Sequence, residues 1–507
     1  MVVMALNTID RDVASVCPVC LRTVSAHIFQ REQAVMIRKI CPEHGEFEDV
    51  YWSDAELYRR FMRYVETGRG IENFITKGDC PFSCGLCDNH KTSTLLANID
   101  VTTRCNLSCP ICFADASPKK VYEPTMEQIE RMLRILREER PVPCYAVQFS
   151  GGEPTVRDDL PDIVALARSM GFTQIQIATN GLRLAASPDF AQRLSEAGLS
   201  TVYLQFDGVD AGPYIKMRGR DLLGVKLRAI ESCRRGGLNS VVMVPTVAKG
   251  VNDFQLGEII RFASRNLDVI RGVNMQPISF AGRVEEAERK SNRITIPDLI
   301  RAIEEQTDGE VSREDFYPVP FVAPVSRVVE MLTNEPRLVF TVHPCCGAAT
   351  YVYCEDERLI PITRFVDVEG MMERLTEMLQ EYNGSKISRL RIQAALLKDL
   401  PGFIDESRAP KDLQITKLLM NVLRTGTFDA LREFHSRNLF IGAMHFQDLY
   451  NLDLERVSRC GIHYATPDGR IIPFCTYNTI HRSEVEDRYS IAEACAPAQR
   501  VGVPPVT

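Results

Sequence analysis

The sequence predicts an α/β fold, a partial (β/α)6 barrel, with a small metal-binding knuckle before it and a cysteine-bearing, mostly helical domain after it. Three observations lead there. Strand-like and helix-like segments alternate through the middle of the chain, the strand-like ones end in turn-forming residues, and the cysteines fall into short-spaced groups on either side.

The first unit, residues 1–75, carries Cys17-Pro-Val-Cys20, a stretch of strand-like alternation, and Cys41-Pro-Glu-His44-Gly45. Proline and glycine beside the ligands suit tight ligand turns. The spacings C-x2-C and C-x2-H fit one tetrahedral zinc or rubredoxin-like iron, with Cys80 competing with His44 for the fourth place. A helix is expected over about 53–66, opening on Ser53 with a glutamate three residues later as a capping box. Residues 76–94 follow, with Cys80, Cys84 and Cys87 in C-x3-C-x2-C spacing.

The architectural signal lies in residues 95–290. Strands are expected at 96–102, 145–150, 173–179, 201–206, 239–247 and 270–278, and helices at 125–138, 158–170, 188–197, 221–235 and 254–265. In such a repeat the site lies at the C-terminal ends of the strands. The turns there, among them Gly151-Gly152-Glu153-Pro154, Thr179-Asn180-Gly181, Asp207-Gly208 and Phe280-Ala281-Gly282-Arg283, would share one rim. Residues 291–507 read as mostly helical, with Cys345, Cys346, Cys354, Cys460 and Cys475 returning toward metal.

Composition narrows the class. The 507 residues are 45% hydrophobic and 25% charged, ordinary for a globular chain. A net charge of −7 gives nucleic-acid binding no support from the totals, and no apolar run is long enough to span a membrane. The expected location is the cytoplasm, with any membrane contact peripheral. Seventeen cysteines without a secretory leader pattern favour metal over disulfides. Cys144, Cys233 and Cys495 stand alone and read as ordinary cysteines.

Cys105-x3-Cys109-x2-Cys112 carries the most specific chemistry. Three thiolates can hold three irons of a [4Fe–4S] cluster and leave the fourth open to another ligand. Here the sequence resembles the radical S-adenosylmethionine (SAM) superfamily, over about residues 95–285. The resemblance implies that the open iron chelates SAM, that Gly151, Gly152 and Glu153 hold the SAM amino group, and that Phe113 lies near adenine. Asn180 and Asp207 match strand-end segments that line SAM or substrate in relatives, and Arg218 is similar to an arginine near the SAM carboxylate in some branches. The chemistry implied is reductive SAM cleavage and hydrogen abstraction by a 5′-deoxyadenosyl radical, with an external electron donor such as ferredoxin or flavodoxin. By spacing alone the Cys80 triplet could serve equally, but only the second triplet precedes the β/α series.

Eight cysteines, Cys80, Cys84, Cys87, Cys345, Cys346, Cys354, Cys460 and Cys475, suffice for two auxiliary [4Fe–4S] clusters. The whole arrangement, with Pro245 to Asn252 and Gln276 to Arg283, resembles the tetraether lipid synthase family. That resemblance implies coupling of the terminal carbons of two lipid chains, and so a lipid substrate in a long apolar groove, for which 291–303, 368–381 and 414–423 are candidate walls. Two other readings stay open: a radical SAM methyltransferase acting on a pterin (7,8-dihydro-6-hydroxymethylpterin), which would have a modest polar and aromatic pocket, and a non-catalytic iron–sulfur or zinc scaffold.

Overall fold

A computed structural model describes residues 9–73, 78–116, 121–284, 286–410 and 437–490. The candidate helix at 414–423 and Cys495 lie outside these residues.

The N-terminal unit is an antiparallel meander of β1 (Arg11–Val16), β2 (Thr23–Arg31), β3 (Ala34–Cys41) and β4 (Gly45–Trp52). Alternation in β2 and β3 buries Val24, Ala26 and Ile28 against Val35 and Ile37, which fixes register, since a one-residue slip would turn them outward. The β1–β2 and β3–β4 turns fall at the same end of the sheet. The following helix runs Ala55–Met62, and its cap is Asp54, whose Oδ1 accepts from Leu57 N at 2.8 Å. Ser53, the expected cap, is diverted: its hydroxyl accepts from Thr295 Oγ1 at 2.7 Å.

The barrel strands are β5 (Leu96–Thr102), β6 (Ala146–Gly151), β7 (Gln174–Thr179), β8 (Thr201–Gln205), β9 (Val241–Val244) with its short continuation β10 (Thr246–Val247), and β11 (Ile270–Pro277). They pair in parallel in the order β5-β6-β7-β8-β9-β11. The crossover helices, Met126–Glu138, Leu160–Ser169, Pro188–Glu196, Leu223–Arg235 and Leu256–Ser264, match the expected ones within a few residues. Met126–Glu138 opens on the capping box Thr125/Gln128 and turns Ile129, Met132, Leu133 and Leu136 to the sheet.

The C-terminal part departs from the expectation of a mostly helical domain. It does contain helices at Ile296–Gln306, Val368–Glu381 and Lys386–Asp399, but it also extends the barrel sheet. β15 (Asn438–Met444) pairs in parallel with β11 at one edge, and β16 (Ile462–Ala465) pairs in parallel with β5 at the other. Beyond them lie antiparallel β13 (Gly347–Glu355), flanked by β12 (Tyr317–Pro318) and β14 (Arg358–Pro361), and on the other side β17 (Ile471–Pro473). Phe440, Ile441 and Ala443 in β15 are the kind of apolar run that helix and strand share, and pairing with β11 decides for strand. No helix among the described residues is long and apolar enough to cross a membrane.

Candidate active site and metal centres

The strand C-termini converge on a cavity of about 340 Å³. Cys105, Cys109 and Cys112 line it, together with Phe113, Gly151, Gly152, Glu153, Thr179, Asn180 and Arg218. Close backbone approach fixes this rim. Gly152 N donates to Thr102 O at 2.7 Å and Glu153 N to Arg104 O at 2.8 Å, so the glycine loop lies directly on the segment that leads into Cys105. A Cβ on Gly152 would sit 2.4 Å from Arg104 O, and one on Gly151, which also has φ +132°, would sit 2.0 Å from Thr102 O.

The Glu153 carboxylate is already held by the protein. It accepts from Thr155 N (3.1 Å), Thr155 Oγ1 (2.5 Å), Thr179 Oγ1 (2.7 Å) and Asn180 N (2.7 Å), tying the second strand's loop to the third's. The residue expected to reach SAM with its carboxylate therefore first acts as a strut between two loops. Asn180 bridges onward, donating from Nδ2 to Asn106 Oδ1 at 2.7 Å inside the cysteine loop.

Asp207 takes a different place from the one expected. Its carboxylate is fully buried beneath the cavity, and both oxygens are taken by Arg218, from Nε and Nη2 at 2.8 Å each. No oxygen is turned toward a cofactor, because the buried guanidinium needs both. Arg218 in turn donates from Nη1 to Ile111 O at 3.0 Å, between Cys109 and Cys112. The pair thus steadies the cysteine loop from below. Lys226 lies alongside, bonded to Asn180 O (2.6 Å) and Gln205 Oε1 (3.1 Å), and burial lowers its pKa to about 8.

A second clamp was not legible beforehand. Arg283, after β11, exchanges backbone hydrogen bonds with Cys112 at 3.0 and 2.9 Å and donates from Nε to Cys109 O at 2.9 Å. Gly282 permits this with φ +66°; its Cβ would meet Cys112 O at 2.5 Å.

Inside the barrel, strand positions facing the cavity carry a belt of amides. Gln148 donates to Asn98 (2.6 Å) and Gln176 to Gln148 (2.7 Å), while Asn274 and Gln276 meet the Tyr203 hydroxyl. An aromatic wall faces them: Phe474 stacks on Phe446 at 3.8 Å between centroids and lies 5.8 Å from Phe113 and 5.4 Å from Tyr464. Polar residues alternating on the inner face of parallel strands, as in Gln148/Ser150 and Asn98/Asp100, are the sequence signal that could have found the belt.

Two metal-binding patterns differ in geometry. Cys17, Cys20, Cys41 and His44 bring their ligand atoms all within 4.8 Å of one another, with Cys20 and Cys41 sulfurs 3.9 Å apart and His44 Nδ1 3.5 Å from Cys41 Sγ. That suits one tetrahedral ion, with His44 and not Cys80 as the fourth donor. Among the described residues no other group is gathered so tightly. Burial pushes the Cys105 thiol up to about 12, so metal ligation would be what removes its proton.

The remaining cysteines divide in space. Cys84 lies 3.6 Å from Thr476 Oγ1, in the loop that also carries Cys80 and Cys87. Cys346 and Cys475 meet one short segment, Cys346 O accepting from His445 N at 3.0 Å and Cys475 Sγ from Gln447 N at 3.3 Å; Cys460 packs beside the same segment at Phe446, Cys345 adjoins, and Cys475 also lines the central cavity. Cys354 is withdrawn from both. It sits at the far end of β13, about 25 Å along the strand from Cys346, with its sulfur over Val352 O.

Comparison with known proteins gives the same outline. Residues 99–263 match the radical SAM superfamily, and residues 9–53 match the HMPTM N-terminal zinc ribbon domain. A 7,8-dihydro-6-hydroxymethylpterin dimethyltransferase of Methanocaldococcus jannaschii is 52% identical over 488 residues, 95% of this chain and 96% of the relative. A GTP 3′,8-cyclase of Synechococcus is 31% identical over 35% of this chain and 54% of its own length. The crystal structure of Streptococcus suis SuiB aligns with a TM-score of 0.36 at 19% identity, covering 43% of this chain and 47% of that one.

Proposed function

The chain belongs to the radical SAM superfamily, in the family of the Methanocaldococcus jannaschii relative, and on that premise we propose that it methylates a reduced pterin by radical chemistry. The carrying observation is the cavity, modest at about 340 Å³, with amide side chains on one side and aromatic faces on the other. A pterin offers a flat π-face for Phe446, Phe474 and Phe113 and a donor–acceptor edge for Asn98, Gln148 and Gln176. The 52% identity to a pterin dimethyltransferase over nearly the whole chain supports this reading over the lipid-chain coupling that the tetraether lipid synthase resemblance implies.

When bound, the cluster and SAM supply the one-electron cleavage that produces the 5′-deoxyadenosyl radical. The chain's own residues position and enclose. Gly151 and Gly152 let the loop lie against the cysteine segment, Glu153 locks two rim loops together, and the Arg218–Asp207 and Arg283 contacts hold the cysteine loop from two sides.

A second reading is favoured by one observation. Cys475, of the Cys346 group, faces the same cavity among Met444, Phe446 and Ile462, so a sulfur centre lies beside the place where a substrate radical would form. If Cys475 held part of an iron–sulfur centre there, that centre could supply a sulfur site for coupling two alkyl chains. Anaerobic reconstitution with iron and sulfide, followed by incubation with SAM, reductant and either pterin or lipid extract, separates the two by mass. A methyl gain on the pterin supports methylation; loss of two hydrogens with two chains joined supports coupling; no 5′-deoxyadenosine in either mixture overturns both.

A further inference from the structure

The corner of the fold around Cys346 contains a charge with no counterpart. Arg456, on the short helix Leu454–Ser458, is 1% exposed. Its Nη2 donates to the carbonyls of Cys345 (3.3 Å) and His445 (3.1 Å), but Nε and Nη1 are buried without a partner. Among the described residues no carboxylate lies within 4.0 Å of it. The neighbouring Asp453 is engaged by Arg11 at 3.4 Å and by the Tyr51 hydroxyl at 2.8 Å. Such an isolated guanidinium is strongly unfavourable in a protein interior unless an anion faces it.

More polar atoms are stranded in the same place. His445 has both ring nitrogens buried and unpartnered, and His343 has its Nε2 so, although its Nδ1 accepts from Cys345 N at 3.2 Å. Three orphaned side chains around free cysteines are what a chain leaves when it is built to enclose a charged group. The side chains whose charge would favour Arg456 are Cys346, Tyr51, Cys345 and Cys475. As neutral groups they offer it no countercharge, only the face of the Tyr51 ring 5.4 Å from the guanidinium carbon. As thiolates bound to iron, the cysteines would supply the missing negative charge.

We infer that Arg456 is the buried counter-ion of an anionic iron–sulfur centre held by Cys346, Cys460 and Cys475, and that its charge raises that centre's reduction potential. Reduction adds one electron from an external low-potential donor and makes the centre more negative. A fixed cation at short range in a low-dielectric site stabilises the reduced form more than the oxidised one. Gln447 N, 3.3 Å from Cys475 Sγ, acts in the same direction, but it is a backbone donor that a change at Arg456 leaves in place. The inference rests on iron–sulfur ligation by these cysteines and holds for either substrate.

The test uses the full chain, reconstituted anaerobically, as wild type, R456M, R456K and C346A. Electron paramagnetic resonance followed through a redox titration assigns the centre as the signal lost in C346A. In R456M that signal's reduction equilibrium constant should fall at least tenfold, a shift of about 59 mV to lower potential for one electron. R456K should recover most of it. A wild-type potential in R456M with full iron content overturns the proposal.

Where R456M holds too little iron to titrate, thermal unfolding of the chelated, iron-free proteins decides. Without its anion the wild-type arginine is a penalty, so iron-free R456M should unfold at a higher temperature than iron-free wild type. An equal or lower temperature overturns the proposal.

Discussion

Replacing Asp207 by asparagine removes the charge that lets Arg218 stay in the interior. The two side chains are 0% and 7% exposed, and they share two bonds of 2.8 Å. Asparagine keeps the shape but leaves a guanidinium facing an amide. Breaking a buried pair from one side costs about 3–5 kcal/mol, most of it the unpaired charge left behind. The loss would not stay local, because Arg218 Nη1 bonds Ile111 O in the cysteine loop at 3.0 Å. A displacement of about 1 Å there would lower SAM cleavage roughly 10²-fold. Urea unfolding of the reconstituted protein and release of 5′-deoxyadenosine measure the two effects. The double variant D207N/R218M removes both charges and should regain most of the stability, though not the loop contact. A wild-type urea midpoint for D207N, or a double variant no more stable than the single, would refute the reasoning.

Three further outcomes are expected. H44A should hold one metal equivalent less than wild type by elemental analysis, with the iron of the Cys105 triplet retained, since His44 is a donor only in the knuckle. G152A places a methyl 2.4 Å from Arg104 O, so it should bind SAM and release 5′-deoxyadenosine at least tenfold less well at unchanged iron content. Glu139, 3% exposed, has its pKa raised from 4.5 to about 7 by burial, so folding favours its protonated form. That contribution is fully present below pH 4.5 and lost as pH rises through 7, worth about 3 kcal/mol at most. E139Q, neutral throughout, should lessen the fall in stability between pH 4.5 and 7; an unaltered pH profile in urea unfolding would contradict this.

The barrel was legible because each strand ends in a turn whose chemistry is local. Gly151-Gly152, Asn180-Gly181 and Gly282 are needed where backbones touch or φ is positive, and those needs show in the residues themselves. The knuckle was legible for the same reason, its ligands sitting in two turns of one meander. What could not be read were bonds between residues far apart in the chain. Asp207 looked like a free strand-end carboxylate until the fold brought Arg218 to it. Arg482 reaches Asp100 on β5 at 2.7 Å across 382 positions, and nothing in either neighbourhood announces the other. Cys354 shared a segment with Cys345 and Cys346, but the extended conformation of β13 carries it away. Strands β15 and β16 were missed because short apolar runs do not declare which edge they will join.

The placement of those two strands has a consequence for how the molecule comes into being. The ribosome delivers β11, ending at Pro277, 161 residues before β15 begins at Asn438, so the six-stranded sheet waits with both edges bare. At about 5–20 residues per second that interval is roughly 8–30 s. Phe446, Tyr464, Phe474 and Cys475, which wall the cavity, arrive only after it. Iron delivered earlier would meet a half-built trough open to oxygen and water. Loading of the nascent chain is therefore expected to follow release, and a chain cut before Asn438 should aggregate along its uncovered strands instead of holding a cluster.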